Sequence, residues 1–483
     1  MKKRFLLSLV CIAMGIAASA QTPILNIEGG QVQGVTTDIE GVIVYRGIPY
    51  AAPPIRDLRW KAPQPVVAWK GVKVANRFDH PSFQAIQYKG GYYSEWGYGD
   101  EAPFSEDCLY LNVWTKASGQ TAKKLPVAMW IHGGGYREGW GSEPEFDGQE
   151  WANKDVVLVT INYRLGVFGF LTHPLLAEEN EHHVSGNYGI LDQIEALKWI
   201  KKNIAQFGGD ADNVTIFGQS AGAGSVRTLC ESPLARGLFH KAVIMSGGGL
   251  TTANGTASPA RYAPITQQQA GEMNKKMFDW AGLTDLKKMR MAPTEAVHAL
   301  STLYASATGD RTWAPMYPIA DGYVSMESFD KAALDGTLAD VPYMIGYTMN
   351  DMGNMAPGIE AFCLNREKMG NKAWAYEFAR PLPDDGSHPE VTVRLKGAFH
   401  SSDLWFVFKS LKHCWRPWTK GDWDLSEKML TAWTNFAKYS NPNSPKTDVW
   451  KPCTKKNNNF MVFKLNANNE EASEFGKTVT TVN

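Results

Sequence analysis

The chain has 483 residues, 44% hydrophobic and 20% charged, which is enough to bury a large core and unlike a disordered or collagen-like composition. Lysine plus arginine equal aspartate plus glutamate at 49 each, and no block of like charge marks a surface for nucleic acid or an anionic membrane. The first exception to this even composition is the N-terminus. Lys2-Lys3-Arg4 precede an apolar stretch from Phe5 to Ala17, and Ala18-Ser19-Ala20 follow. This pattern predicts a secretory signal peptide over residues 1–20, cut after Ala20, and a secreted or periplasmic product with no membrane anchor. The apolar run is too short to span a bilayer comfortably. Five cysteines remain beyond it, at 108, 230, 363, 414 and 453, too few and too odd in number for a disulfide framework. No CxxC or HExxH spacing occurs, so neither a metal site nor a cofactor is expected.

Apolar β-rich runs at 125–131, 155–163, 213–217 and 240–247 alternate with helix-like segments, of which 191–207 is the clearest. Near-continuous apolar strands separated by helices require a mostly parallel sheet covered on both faces, so the predicted class is α/β. A further strand is expected at 341–348 and an amphipathic helix at 425–439. Between roughly 250 and 320 the pattern weakens into polar and helical stretches, as for a cap-like insertion over the sheet. No repeat or low-complexity linker divides residues 21–483, which read as one catalytic domain.

Two motifs carry chemistry. Gly218-Gln219-Ser220-Ala221-Gly222 follows a strand and opens a helix, a G-x-S-x-G turn that projects the Ser220 hydroxyl above the sheet. Taken without its context, the same pattern fits a glycine-rich turn with an ordinary capping serine. A serine hydroxyl is a weak nucleophile at neutral pH and needs a base and a site for the developing oxyanion. The second need is met by His132-Gly133-Gly134-Gly135 after the strand at 125–131. The N–H groups of Gly134, Gly135 and Ala221 are the candidate oxyanion donors. The glycine run lacks the G-K-[ST] ending of a phosphate loop.

These motifs, with YRGIPYAAPP (45–54), SEDCLYLNVW (105–114), NYRLGVFGFL (162–171) and GNYGILDQIEALKWIKKNIAQFGGD (186–210), resemble in content and order the type-B carboxylesterases. That family of α/β-hydrolases also contains the cholinesterases. The resemblance covers nearly the whole chain beyond residue 20 and implies the α/β-hydrolase fold and a serine carboxylesterase. It also implies a general base at His400, in KGAFHSSDLWFVF (396–408), and an acid in IGYTMNDMG (345–353). The family usually has glutamate there. Asp351 matches its position when aligned from the strand and falls one residue early when aligned from the closing glycine. Aspartate is chemically adequate to hold the imidazole tautomer, provided the backbone compensates for its shorter side chain.

Other departures shape the expected specificity. The family often has glutamate before the nucleophile, whereas Gln219 is neutral, which disfavours a cationic choline-type substrate. Ser82 stands where a family cysteine commonly pairs with the equivalent of Cys108, so that disulfide is not expected. The resemblance also implies structural ion pairs Arg59–Glu106 and Arg164–Asp192. Tyr136, Trp140, Trp313 and Trp405 lie near motif positions and are candidates for lining the acyl or alcohol pocket. The expected substrates are small-molecule or carbohydrate-linked carboxylic esters, such as acetyl or aromatic acyl esters of plant carbohydrates or small xenobiotic esters. A non-catalytic adhesion protein and a peptidase of the same fold are the rival readings.

Overall fold

The apolar runs become strands whose side chains alternate between two cores. In chain order, the main sheet comprises β1 (Val35–Thr36), β2 (Ile43–Pro49), β3 (Tyr110–Thr115), β4 (Leu125–Ile131), β5 (Val157–Ile161) and β6 (Gly209–Gln219). It continues through β7 (Lys241–Met245), β8 (Tyr343–Thr348), β9 (Ala373–Phe378), β10 (Phe460–Phe463) and β11 (Glu474–Gly476). Along β4, Val127, Met129 and Ile131 face one core and Ala128 and Trp130 the other. Along β7, Ala242 and Ile244 are set against Val243 and Met245 in the same way. That period of two, apolar on both sides, is what a sheet buried on both faces demands. The computed structural model describes residues 22–85, 91–96, 103–251, 265–312 and 316–479, so the expected signal peptide and Trp313 lie outside the described residues.

Among the described residues the spatial order is β11-β10-β9-β8-β7-β6-β4-β5-β3-β2-β1. The seven strands from β10 to β5 are parallel, and β11, β3, β2 and β1 extend the edges in antiparallel pairing. The sheet is therefore mixed, with a parallel centre. The helices α1 (Tyr188–Asn203), α2 (Ala221–Glu231) and α3 (Ala356–Lys368) cover one face. On the other face α4 (Lys420–Tyr439) supplies Leu425, Met429, Trp433 and Phe436. Among the described residues, the weakly patterned region holds the helices Gln267–Trp280, Leu286–Met291 and Thr294–Thr308. They form a separate apolar cluster with Trp60, Phe168 and Tyr188, as expected of a cap-like insertion.

Two buried ion pairs stitch these layers. Arg59 Nε and Nη2 donate to Glu106 at 2.7 and 2.5 Å, and its Nη1 reaches the carbonyls of Met289 and Ala292, at the end of the insertion's middle helix. Arg164 holds Asp192 of α1 through Nε and Nη2 at 2.8 and 2.6 Å. Its own backbone N–H donates to the same carboxylate, which fixes the loop after β5. The described cysteines are all free thiols, Cys108 included, which lies against Ser82. No helix among the described residues is long and apolar enough to cross a membrane.

Breaking one half of a buried pair strands the other charge. Asp192→Ala should therefore destabilise the fold by about 3–5 kcal/mol in urea unfolding, and the Arg164→Met/Asp192→Leu double variant by clearly less. Glu145 supplies a second test. It is wholly buried in the turn Pro144–Phe146, and neither carboxylate oxygen finds a donor. Burial, then the neighbouring Glu143 carboxylate, pushes its pKa well above the usual range. A folded-state value above the unfolded one means that Glu145's contribution is complete at acid pH and is lost as pH rises through the raised value. Melting curves from pH 5 to 9 should show wild type losing stability relative to Glu145→Gln as pH increases.

Candidate active site

A parallel sheet gathers its loops at the C-terminal ends of the strands, and ligands bind where the strand order reverses. Here the chain leaves β4, adds β5 on one side, then crosses to add β6 on the other. The crevice therefore opens above β4 and β6, where the glycine run and Ser220 emerge.

The turn from β6 to α2 is made by close backbone contact. A Cβ on Gly218 would meet the Gly222 carbonyl group at 2.6 Å, and one on Gly222 would lie 2.0 Å from the Ile131 carbonyl oxygen. Only glycine permits either approach. Ser220 itself adopts φ 57° and ψ −120°, a strained conformation for a residue with a Cβ. Its N–H donates to the Met245 carbonyl at 2.9 Å, and its carbonyl accepts from Gly224 N–H at 2.9 Å. The strain is thus held by the next strand and by the first turn of α2.

The glycine loop lies directly beside this turn, since a Cβ on Gly133 would stand 3.2 Å from the Ser220 Cβ. Gly134 and Gly135 have φ of +92° and +62°, and the Cβ direction at Gly135 is open. The loop is gripped by residues after β5. Tyr163 donates its hydroxyl to the His132 carbonyl at 2.9 Å, Gly166 N–H donates to the Tyr136 carbonyl at 2.7 Å, and Asn162 Oδ1 accepts from Gly141 N–H at 2.7 Å. Burial lowers the His132 pKa to about 4, so this ring is a neutral structural group stacked on Tyr163.

The structure brings Asp351 and His400 together, with His400 Nδ1 2.6 Å from Asp351 Oδ1. The backbone joins the two loops that carry them. Asn350 pairs with Phe399 in an isolated parallel bridge, Asn350 N–H donates to the Ala398 carbonyl, and Ala398 N–H donates to Asn350 Oδ1. Gly397, at φ +71°, leaves the room this needs, since a Cβ there would lie 2.2 Å from Asn350 Oδ1. The two loops are drawn together one residue before each functional side chain, which makes up for the shorter carboxylate. Asp351 also accepts from Met352 N–H at 2.7 Å and from Thr348 N–H and Oγ1 at 3.2 Å, and Ser246 lies beside it. Burial pushes this carboxyl up, but the His400 charge and these donors outweigh it and hold it below the usual carboxylate range.

The pocket candidates fare differently. Trp405 is buried in the core against α4, in a short helix whose residues are all buried, and this corrects the expectation that it lines a pocket. Trp140 and Tyr136 are also buried, Trp140 stacked on Tyr93 at 5.5 Å and Tyr136 edge-on against Phe170 at 5.1 Å. Three residues take places in the site that the sequence did not assign to them, Gln219 having been read only for its lack of charge. Gln219 places its Nε2 3.1 Å from His400 Nε2. Asp403 accepts from Tyr376 Oη at 3.1 Å, and burial, then the Asp351 charge, pushes it up to about 7. Ser246 is the third. An aspartate directly before the apolar run 404–408 was the one available signal. Among the described residues no group of His, Cys, Asp and Glu is placed to hold a metal ion.

Comparison with known proteins agrees with this geometry. Residues 21–362 and 356–478 match the model of the carboxylesterase family. The chain is 35% identical to a fumonisin B1 esterase of Sphingopyxis macrogoltabida over 80% of its length and 68% of the relative's. It is 32% identical to a para-nitrobenzyl esterase of Bacillus subtilis (strain 168), covering 87% and 91% of the two chains. Among solved structures, a thermophilic PNB esterase superposes with a TM-score of 0.76 at 28% identity, over 94% of this chain and 97% of the other. A Geobacillus stearothermophilus carboxylesterase gives 0.73 at 29% identity over the same shares. The family model over these residues, with relatives above 30% identity and solved esterases of the same sheet order, places the chain in the carboxylesterase family, as a carboxylic ester hydrolase of the α/β-hydrolase fold.

Proposed function

We propose that Ser220, His400 and Asp351 form the catalytic triad of an exported serine esterase that works through an acyl-enzyme. The observation that carries this reading is the 2.6 Å contact of His400 with Asp351 on the same rim of the sheet as the strained Ser220 turn. Asp351 accepts a hydrogen bond from Nδ1–H, which keeps that proton on Nδ1 and leaves Nε2 as the basic nitrogen. Nε2 takes the Ser220 proton as Oγ attacks the ester carbonyl, and the N–H groups of Gly134, Gly135 and Ala221 receive the negative oxygen. Collapse returns the proton to the departing alcohol. Water then repeats the sequence on the acyl-enzyme and releases the acid.

The substrate class follows from the charge of the site. The residue before the nucleophile is an amide, so no carboxylate beside Ser220 draws a cation, which favours neutral or lightly charged esters. Acetyl or aromatic acyl esters of plant carbohydrates and small xenobiotic esters belong to that class. The names of the relatives, para-nitrobenzyl esterase and fumonisin B1 esterase, support an enzyme of small organic esters. Export rests on the basic and apolar N-terminus ending at Ala18-Ser19-Ala20.

Hydrolysis of nitrophenyl esters from acetate to octanoate, with a feruloyl ester beside them, tests the reading. Ser220→Ala should lose on the order of 10⁴-fold or more in kcat, and Asp351→Asn about 10⁴-fold with the fold intact. Wild type no faster than Ser220→Ala on every ester would refute the mechanism and favour a non-catalytic role. The intact mass of the exported protein should correspond to a chain beginning at Gln21.

A further inference from the structure

The triad leaves one contact at the base unexplained. Asp351 is acceptor-only at 2.6 Å from Nδ1, so Nδ1 carries the proton and the neutral ring offers a lone pair at Nε2. The group that meets this lone pair is the Gln219 carboxamide nitrogen at 3.1 Å, and an amide nitrogen only donates. Gln219 is almost wholly buried, and Gly133 packs against both its backbone and side-chain oxygens. The amide is thus boxed between the glycine loop and the imidazole.

We propose that Gln219 is a positioning residue for the general base: its side-chain N–H occupies His400 Nε2 in the free enzyme, keeping the ring unprotonated and oriented until the Ser220 hydroxyl takes its place. The inference rests on the triad reading above and concerns how that base is kept ready.

The surroundings show why such a donor matters. Two carboxyl groups face the ring, Asp351 from the loop after β8 and Asp403 from its own segment. Tyr92, in the helix Tyr92–Trp96, stands edge-on at 6.4 Å and, like Tyr376 behind Asp403, has its pKa raised and carries no charge near neutral pH. Negative charge on one side favours imidazolium, which is useless as a base. A donor on Nε2 favours the neutral ring and so works in the opposite direction. A carboxylate at position 219 could not donate and would bind Nε2–H instead. The amide donates without adding charge to the site.

The test is Gln219→Glu, which keeps the shape and changes a donor into an anion, made in the full mature chain with ¹⁵N-labelled histidine. The His400 titration midpoint followed by NMR should rise by about one pH unit or more, as for an opposite charge at hydrogen-bond distance. The acid limb of kcat/KM for nitrophenyl acetate should move by the same amount. A folded Gln219→Glu protein whose midpoint and acid limb coincide with those of wild type overturns the proposal. Should the glutamate prevent folding, Gln219→Leu replaces it: its Nε2 resonance at alkaline pH must differ from that of wild type, and an unchanged resonance overturns the proposal equally. Recording both titrations in the Ser220→Ala background keeps the readout independent of turnover. A missing esterase activity then counts against the triad reading, and an unmoved imidazole counts against Gln219.

Discussion

The approach of Gly222 to the last carbonyl of β4 is the contact on which the rest of the site depends. With glycine two residues before and two residues after Ser220, the start of α2 packs onto the end of a neighbouring strand, and the glycine loop that continues that strand runs beside the turn. The spacing between hydroxyl and loop is therefore set by main chain against main chain, inside a sheet whose two faces are both filled. Side chains hop between rotamers, whereas a backbone wedge in a packed core does not, and that stiffness keeps a strained serine in place. The ion pair of Arg164 with Asp192 extends the same rigidity outward, since it anchors the segment from which Asn162, Tyr163 and Gly166 grip the loop.

Charge around the imidazole is arranged as deliberately as the backbone. The His400 ring, with donors from Ser246 and Met352, keeps Asp351 ionised despite burial. Asp403, deeper and with only Tyr376 donating, is held partly neutral near pH 7, so the base does not face two full negative charges. On the opposite side stand neutral groups: the Gln219 amide, the glycine backbone and the unprotonated His132. A field that points one way across the ring steadies imidazolium when it forms during reaction.

Local pattern made the centre of this fold readable, because buried parallel strands and amphipathic helices write their period into a few consecutive residues. The nucleophile and the glycine loop were readable for the same reason, each being a short motif with a steric cause. The antiparallel edge was not. In β2 the chain breaks register between Tyr45 and Ile48, around Gly47 at φ +67°, which erases the alternation that would have announced a strand. Asp351 could be placed only to within one residue, since its position depends on Asn350 meeting Phe399, nearly fifty residues away in sequence. Trp405 misled because proximity to His400 along the chain is not proximity to a cleft: the short helix that carries it turns every side chain inward.

Arg59 carries a last consequence. One guanidinium joins Glu106, part of the scaffold, to the carbonyls closing the middle helix of the inserted region. At this point the insertion is moored through its main chain, which any sequence supplies, beside the side-chain contacts of Thr294 with Glu106 and of Arg290 with Glu179. Mutation can then rewrite the outward surface of those helices, and lengthen or shorten the connections between them, while the mooring and the chemistry beneath stay unaltered. In such an arrangement the catalytic floor is inherited as a unit and the roof is free to diverge.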